Sequence, residues 1–348
     1  MSNPILVEVL RGSLLESRHE GAVAVVDAEN RPVFCLGDVD RPVYPRSAVK
    51  ELQALVLVES GAADRYGLTE AELALVCASH SGEPDHVAAA QSMLSRAGLT
   101  REALRCGAHP PIHQPSAVAL YRAGQAPSAL HNNCSGKHCG FLCAACATGA
   151  DPQSYTEPGH PVQREVRSVI ESLSDAPLPD RHRAIDGCSV PTWALPLKNL
   201  ALAFARFGTG RRLSPHRAKA AARLRAACAA QPWYVAGTGR FCTEIMSRFG
   251  ARIFIKSGAE GVVCASLPAE GLGIAVKCDD GAGRAAEVVI TALLARFCPM
   301  SDYDRAGLEK FLRPSLRNWN GIVVGSLRPT EAIAAAGFNP APGGTSPV

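Results

Sequence analysis

Lysine is the scarce cation in this chain: of 36 basic residues only seven are Lys, at positions 50, 137, 198, 219, 256, 277 and 310. Scarcity matters because Lys can give up its proton and Arg effectively cannot. Two of the seven stand in short Ser/Lys motifs. The first is Ser47-Ala48-Val49-Lys50, after Pro45 and before an apolar stretch. Residues three apart on a helix share a face, so Ser Oγ and Lys Nζ can meet near the helix N-terminus. A neutral amine there would take the hydroxyl proton and turn the serine into a nucleophile. The second motif, Ser79-His80-Ser81-Gly82, is a hydroxyl-rich loop after an apolar helix, placed to face the first. The third, Lys256-Ser257-Gly258, ends a strand, where Gly permits close approach of another backbone. Each has a plain structural reading too. These are a capping Ser with a solvated Lys, a helix end closed by Gly82 before an Asp85-capped helix, and a strand-end Lys beside a turn.

A second set of reactive types lies in two Gly/Ser-containing segments. His131–Phe141 reads HNNCSGKHCGF and holds Cys134, Lys137, His138 and Cys139; Ala184–Pro191 reads AIDGCSVP and holds Asp186 and Cys188. Thiolate, imidazole and carboxylate are donors that Zn²⁺ takes in tetrahedral geometry, but no C-x-x-C pair is followed by a second such pair, so the zinc-finger signal is missing. Cys139, Cys143 and Cys146 follow helical spacing and read as buried apolar residues. Cys134 and Cys188 sit in loops beside polar neighbours, where metal binding, redox chemistry and packing all stay open.

In order, S-x-x-K, a hydroxyl loop and K-S-G on a late strand resemble the serine β-lactamase and penicillin-binding family. Ser81 stands where that family carries Asn, and Ser47 to Ser79 is a short interval, which argues against penicillin recognition. A closer resemblance comes from HNNCSGKHCGFL, IDGCSVPTWALPL, VYPRSAVKELQAL and IKSGAEGV together. They resemble the rhizobial-type L-asparaginases, the third structural class of these enzymes, also called thermolabile asparaginase or asparaginase II. The likeness runs from about Val7 to Val324. It implies a fold similar to serine β-lactamases and glutaminases, a homodimer, and hydrolysis of L-asparagine to L-aspartate and ammonia. It also implies two Ser–Lys tandems, Ser47 with Lys50 and Ser79 with Lys256. Zinc would be held by Cys134, Lys137 and Cys188 with water, with Asp186 close by and with Arg46 and His138 near the substrate.

In the mechanism these residues permit, Ser47 attacks the side-chain amide carbon and Lys50 accepts its proton. A second ammonium at Lys256 and partial burial would make Lys50 neutral. Ser79 would relay protons between the tandems. Backbone N–H groups at Ser47 and near Ser257–Gly258 would hold the oxyanion. Two further readings stand beside this one: a glutaminase or β-lactam-type hydrolase, and a non-catalytic zinc- or redox-responsive protein on the same fold.

These residues need a scaffold, and the hydrophobic pattern predicts one. Strands are expected at Ile5–Leu10, Ala22–Asp27 and Pro32–Leu36, the last two as a hairpin. A meander is expected over Arg252–Lys256, Gly261–Leu267 and Leu272–Lys277. Helices are expected over Ser47–Ser60, Thr69–Ser79, Pro84–Ala97, His138–Ala147, Pro161–Ser172, Ala194–Gly208, Pro215–Gln231 and Arg284–Phe297. The expected fold is therefore α+β, an antiparallel sheet from N- and C-terminal strands with a helical insertion. It forms a single domain over 1–338 and ends in a Pro/Gly-rich tail, 339–348. A net charge of +4 and the lack of a basic run argue against a nucleic-acid partner. No apolar run approaches membrane-span length, and the N-terminus does not read as a secretory leader. With 13 cysteines, the expectation is a reduced, cytoplasmic protein.

Overall fold

The structure, a computed structural model, describes residues 2–334. The expected tail 339–348 and the end of the expected domain lie outside the described residues. The described residues build one eight-stranded antiparallel sheet and two two-stranded ones. Across the large sheet the order is Ser315–Arg317, Val323–Pro329, Ile5–Arg11, Leu14–Asp27, Leu272–Cys278, Val262–Leu267 and Phe254–Ser257. Pro32–Leu36 pairs with the inner half of Leu14–Asp27, in the expected hairpin. Strands from both ends of the chain thus meet in one sheet, and helices fill the sequence between them, as expected for α+β.

Two differences have physical causes. The strand expected at Ala22–Asp27 begins at Leu14. Its outer half is exposed and charged, so it carries no apolar run. Pairing with Ile5–Arg11 holds it, from Arg11↔Leu14 through Ile5↔Glu20. The sheet also gains Val323–Pro329, whose Gly325 and terminal Pro329 mask the strand pattern. It is anchored by pairing Val7↔Pro329 through Arg11↔Gly325.

Every residue of Val262–Leu267 is buried. Alternate side chains on a strand point to opposite faces, so both faces of the sheet are covered there. The helices Leu197–Thr209 and Gly283–Phe297 both pack on this part of the sheet. Two helix starts differ from expectation. Pro84 occupies the first turn of Pro84–Arg96, which makes Glu83, not Asp85, the residue at its N-cap. The segment expected as one helix from Ser47 begins as a 3₁₀ turn, Arg46–Val49, and only then becomes the α-helix Lys50–Glu59. Arg46 opens that turn at φ +53, a left-handed conformation unusual for a residue with a side chain.

Candidate active site

Three close packings bring the motifs together. The helix Ser135–Thr148 lies against Glu70–Val76 so tightly that a Cβ at Gly136 would fall 2.3 Å from Leu75 O. This seats Asn133 and the start of the cysteine segment beside the loop after Val76. That loop is itself pinned: Ser79 N–H donates to Val235 O at 3.0 Å, and Ser81 Oγ to Ala236 O at 2.7 Å. His80 Nε2 pairs with Ser135 Oγ at 2.9 Å. At Gly258 a Cβ would meet Pro45 O at 2.6 Å and Ala48 N at 3.2 Å. Only glycine lets the strand end Phe254–Ser257 lie directly against the turn that carries Ser47.

At the junction lies Ser79. Its Oγ accepts from Lys50 Nζ at 3.1 Å and from Lys256 Nζ at 2.9 Å. Lys50 also donates to Ala78 O at 2.6 Å and Asn133 O at 3.3 Å. Lys256 donates to Ser257 O at 2.8 Å. Both lysines are buried, at 0 and 1% exposure, so neither charge is relieved by solvent. Burial, then the neighbouring Lys50 ammonium, pushes Lys256 down to about 8. Lys256 is thus an amine driven toward neutrality, and the Lys50 amine sits among three oxygen acceptors. Ser47 is half-buried, and among the described residues no hydrogen bond joins its hydroxyl to Lys50. Its N–H lies in the first helical turn, where N–H groups have no intrahelical acceptor. The other expected oxyanion donors are already used. Ser257 N–H donates to Cys242 Sγ at 3.3 Å, and Gly258 N–H closes a turn on Val262 O at 2.7 Å.

The second cluster is contiguous with the first. Lys137 Nζ donates to Cys188 Sγ at 3.0 Å. Cys188 sits in the loop between Arg183–Ile185 and Pro191–Trp193, tightened by Asp186 N–H to Val190 O at 2.9 Å. The neighbouring Cys134 thiol, and the Lys137 ammonium, hold Cys188 down to about 5 against the effect of burial. The neighbouring Cys188, together with burial, pushes Cys134 up to about 12. Burial pulls Lys137 down, but the charges of Cys188, Cys134 and Asp186 outweigh it and raise the amine. Asp186 Oδ1 accepts from Arg46 Nε at 2.6 Å, and its Oδ2 lies 3.8 Å from Cys188 Sγ. His138 is fully buried, its Nδ1 2.6 Å from Tyr155 OH, and burial drives it well below the usual range, so it is neutral. All the residues expected at the site therefore lie in one region, although Ser47 stands apart from the hydrogen-bonded core.

Cys134, Cys188 and the Lys137 amine lie together here, with Asp186 half-buried beside them. Sulfur and nitrogen are donors that zinc takes, but among the described residues no group of three or more His, Cys, Asp or Glu side chains is placed to hold a metal ion, and Lys137 would have to lose its proton to be a ligand. Two contributors are absent from the expected set. Asn133 supplies a carbonyl to Lys50 and its Oδ1 to the Cys134 thiol at 3.1 Å. Glu51 lies fully buried next to Lys50 in the chain, and the charges of Lys256 and Lys50 both act on it. Asn133 was legible as part of the HNNC run; Glu51 left no signal beyond being a charge in an apolar helix.

The family model described as L-asparaginase II matches residues 7–329. No curated protein matches the chain. Among solved structures, Mglu in its tris and glutamate form shares 15% identity at a TM-score of 0.42, over 82% of this chain and 61% of Mglu. The chain thus spans about three fifths of Mglu's length. A β-lactamase from Mycobacterium bovis shares 15% identity at a TM-score of 0.37, over 76% of this chain and 89% of its own. A D-alanine carboxypeptidase from Burkholderia cenocepacia shares 12% at 0.37, over 84% and 93%. Among the described residues no helix is long and apolar enough to cross a membrane.

Proposed function

The chain belongs to the L-asparaginase II family, and from that premise we propose that it hydrolyses L-asparagine to L-aspartate and ammonia. The observation that carries this reading is the Ser79 hydroxyl, 3.1 Å from one buried amine and 2.9 Å from another. Such an arrangement is a proton wire with a vacancy at one end, because Lys256 is the amine pushed toward neutrality. Neutral Lys256 takes the Ser79 proton, Ser79 takes one from Lys50, and Lys50, now neutral, takes the Ser47 proton. Ser47 Oγ then bonds to the side-chain amide carbon, and the N–H of Ser47 meets the developing oxyanion. Lys50 returns its proton to the leaving nitrogen as the C–N bond breaks and ammonia departs. Water, deprotonated through the same relay, cleaves the aspartyl ester and restores Ser47.

Within this reading Cys134, Lys137 and Cys188 would hold Zn²⁺. Bound there, the ion supplies a Lewis-acidic open position for a polar group of the substrate. The Arg46–Asp186 pair fixes the carboxylate beside these ligands and orients it toward the amino acid's charged end. Elemental analysis of protein purified without chelator is expected to find about one zinc per chain, lost in Cys188→Ala. Protein without zinc in the parent overturns the assignment. The same reading includes a homodimer in the cytoplasm.

Ammonia release from L-asparagine and L-glutamine, measured side by side, tests the reaction. Asparagine is expected to lead in kcat/KM by about 10–200-fold, the discrimination one methylene gives a pocket. A preference for glutamine overturns the substrate, and no ammonia from either overturns the reaction.

A further inference from the structure

Glu51 follows Lys50 in the helix Lys50–Glu59, whose residues through Leu57 are all buried. Its own exposure is 0%, and neither carboxyl oxygen has a hydrogen-bond partner among the described residues. A buried polar group without a partner is rare and costly, and a bare carboxylate is the costliest kind. The groups that face it come from every neighbouring element. Lys50 lies beside it in the chain, and Lys256, on the strand Phe254–Ser257, acts on it through its charge; neither amine forms an ion pair with it among the described residues. Cys77, a free thiol neighbouring the free thiol of Cys228 in Pro215–Ala230, approaches from the end of Glu70–Val76, and Cys264 from Val262–Leu267. Cys77 is raised by the neighbouring Cys228 thiol and by burial, and Cys264 by burial, so both are neutral thiols. The charges facing Glu51 are therefore the two lysines of the Ser79 relay.

We propose that Glu51 is a positioning residue of the reaction, the counter-charge that sets how many protons the Lys50–Ser79–Lys256 relay holds. Two ammoniums sharing one hydroxyl repel each other. A carboxylate beneath them tolerates both, and a protonated carboxyl favours a neutral amine. Burial lifts Glu51 up to about 8, into the range to which Lys256 is pushed down. Moving one proton from Lys256 to Glu51 leaves the net charge of the buried cluster unchanged, so a neutral amine can arise without releasing a proton to solvent. The charged carboxyl, in turn, keeps a proton on Lys256.

The inference rests on the Ser–Lys reading, and its test has two readouts that fail separately. The first is the pH dependence of kcat/KM for ammonia release by the parent, Glu51→Gln and Glu51→Asp. The parent's activity is expected to fall as pH drops through about 8, where Lys256 takes up its proton. In Glu51→Gln that limb moves to lower pH by about one unit, the lower end of the shift one lost opposite charge produces. It also sharpens to a single ionisation, whereas Glu51→Asp stays nearer the parent. An unmoved limb in Glu51→Gln, whatever the loss of rate, overturns the proposal. The second readout needs no turnover. A carboxyl raised in the folded state from 4.5 to about 8 lends stability that is full below about 4.5 and lost as pH rises through about 8. Glu51→Gln lacks that loss. Its melting temperature should therefore gain on the parent's steadily between about pH 5 and pH 9. A difference independent of pH overturns the proposal even if the parent hydrolyses no amide, an outcome that by itself defeats only the proposed function.

Discussion

Replacing Ser47 with alanine is expected to lower kcat for L-asparagine by about 10⁴-fold or more, the scale seen when a serine nucleophile is removed. The fold should survive. Ser47 is half-buried, and the turn that holds it is fixed by its backbone, with Ala48 N–H donating to Pro45 O at 3.1 Å. Loss of one partly exposed hydroxyl therefore shifts stability by less than about 1 kcal/mol. Ser79→Ala separates the two serines. It removes the link between two amines but leaves the attacking oxygen in place, so a loss of about 10²–10⁴-fold, typical of a proton-transfer group, is expected. Near-normal turnover in Ser47→Ala would remove Ser47 as the nucleophile.

Lys256→Met is expected to cost about 10²–10⁴-fold in kcat, because the relay loses its proton acceptor. Stability should move the other way. An amine that burial pushes from 10.5 down to about 8 opposes folding in full below about 8, and the penalty is relieved as pH rises from about 8 toward 10.5. An apolar side chain of similar length removes that penalty, so the melting temperature is expected to hold or rise below about pH 8. Lys256→Arg makes the sharper comparison. It keeps the charge but cannot surrender the proton, so it should be as inactive as the methionine variant. Retained activity in Lys256→Arg would exclude a neutral amine at this position. Activity against pH and thermal melts of the three proteins check both halves.

The Ser/Lys motifs could be read from their residue types, but not how they join. Ser79 and Lys256 are 177 positions apart, and no spacing rule relates them; resemblance to a family did. The contact expected from spacing, Ser47 to Lys50, is where local reasoning stops short. The first turn is 3₁₀ rather than α, and the Lys50 amine turns toward Ala78 O, a carbonyl supplied by a different helix end. Tertiary acceptors outweighed a neighbour on the same face. Glu51 was hidden for a related reason. In KELQALVLVE it reads as a solvated charge in a helix's first turn, and only the packing of strands and helices around it reveals a buried carboxyl. The sheet was legible where apolar runs mark it, as in Val262–Leu267, and obscure where pairing alone holds a strand, as in Leu14–Glu20.

The central claim is that Ser47, not the better-connected Ser79, carries the acyl group. Acid quench of the enzyme during turnover of L-asparagine, followed by peptide mass spectrometry, tests it most directly. The proposed mechanism places an aspartyl ester on the peptide containing Ser47, absent from Ser47→Ala. An aspartyl group on Ser79, or full-rate turnover with no acylated peptide at any quench time, would contradict it.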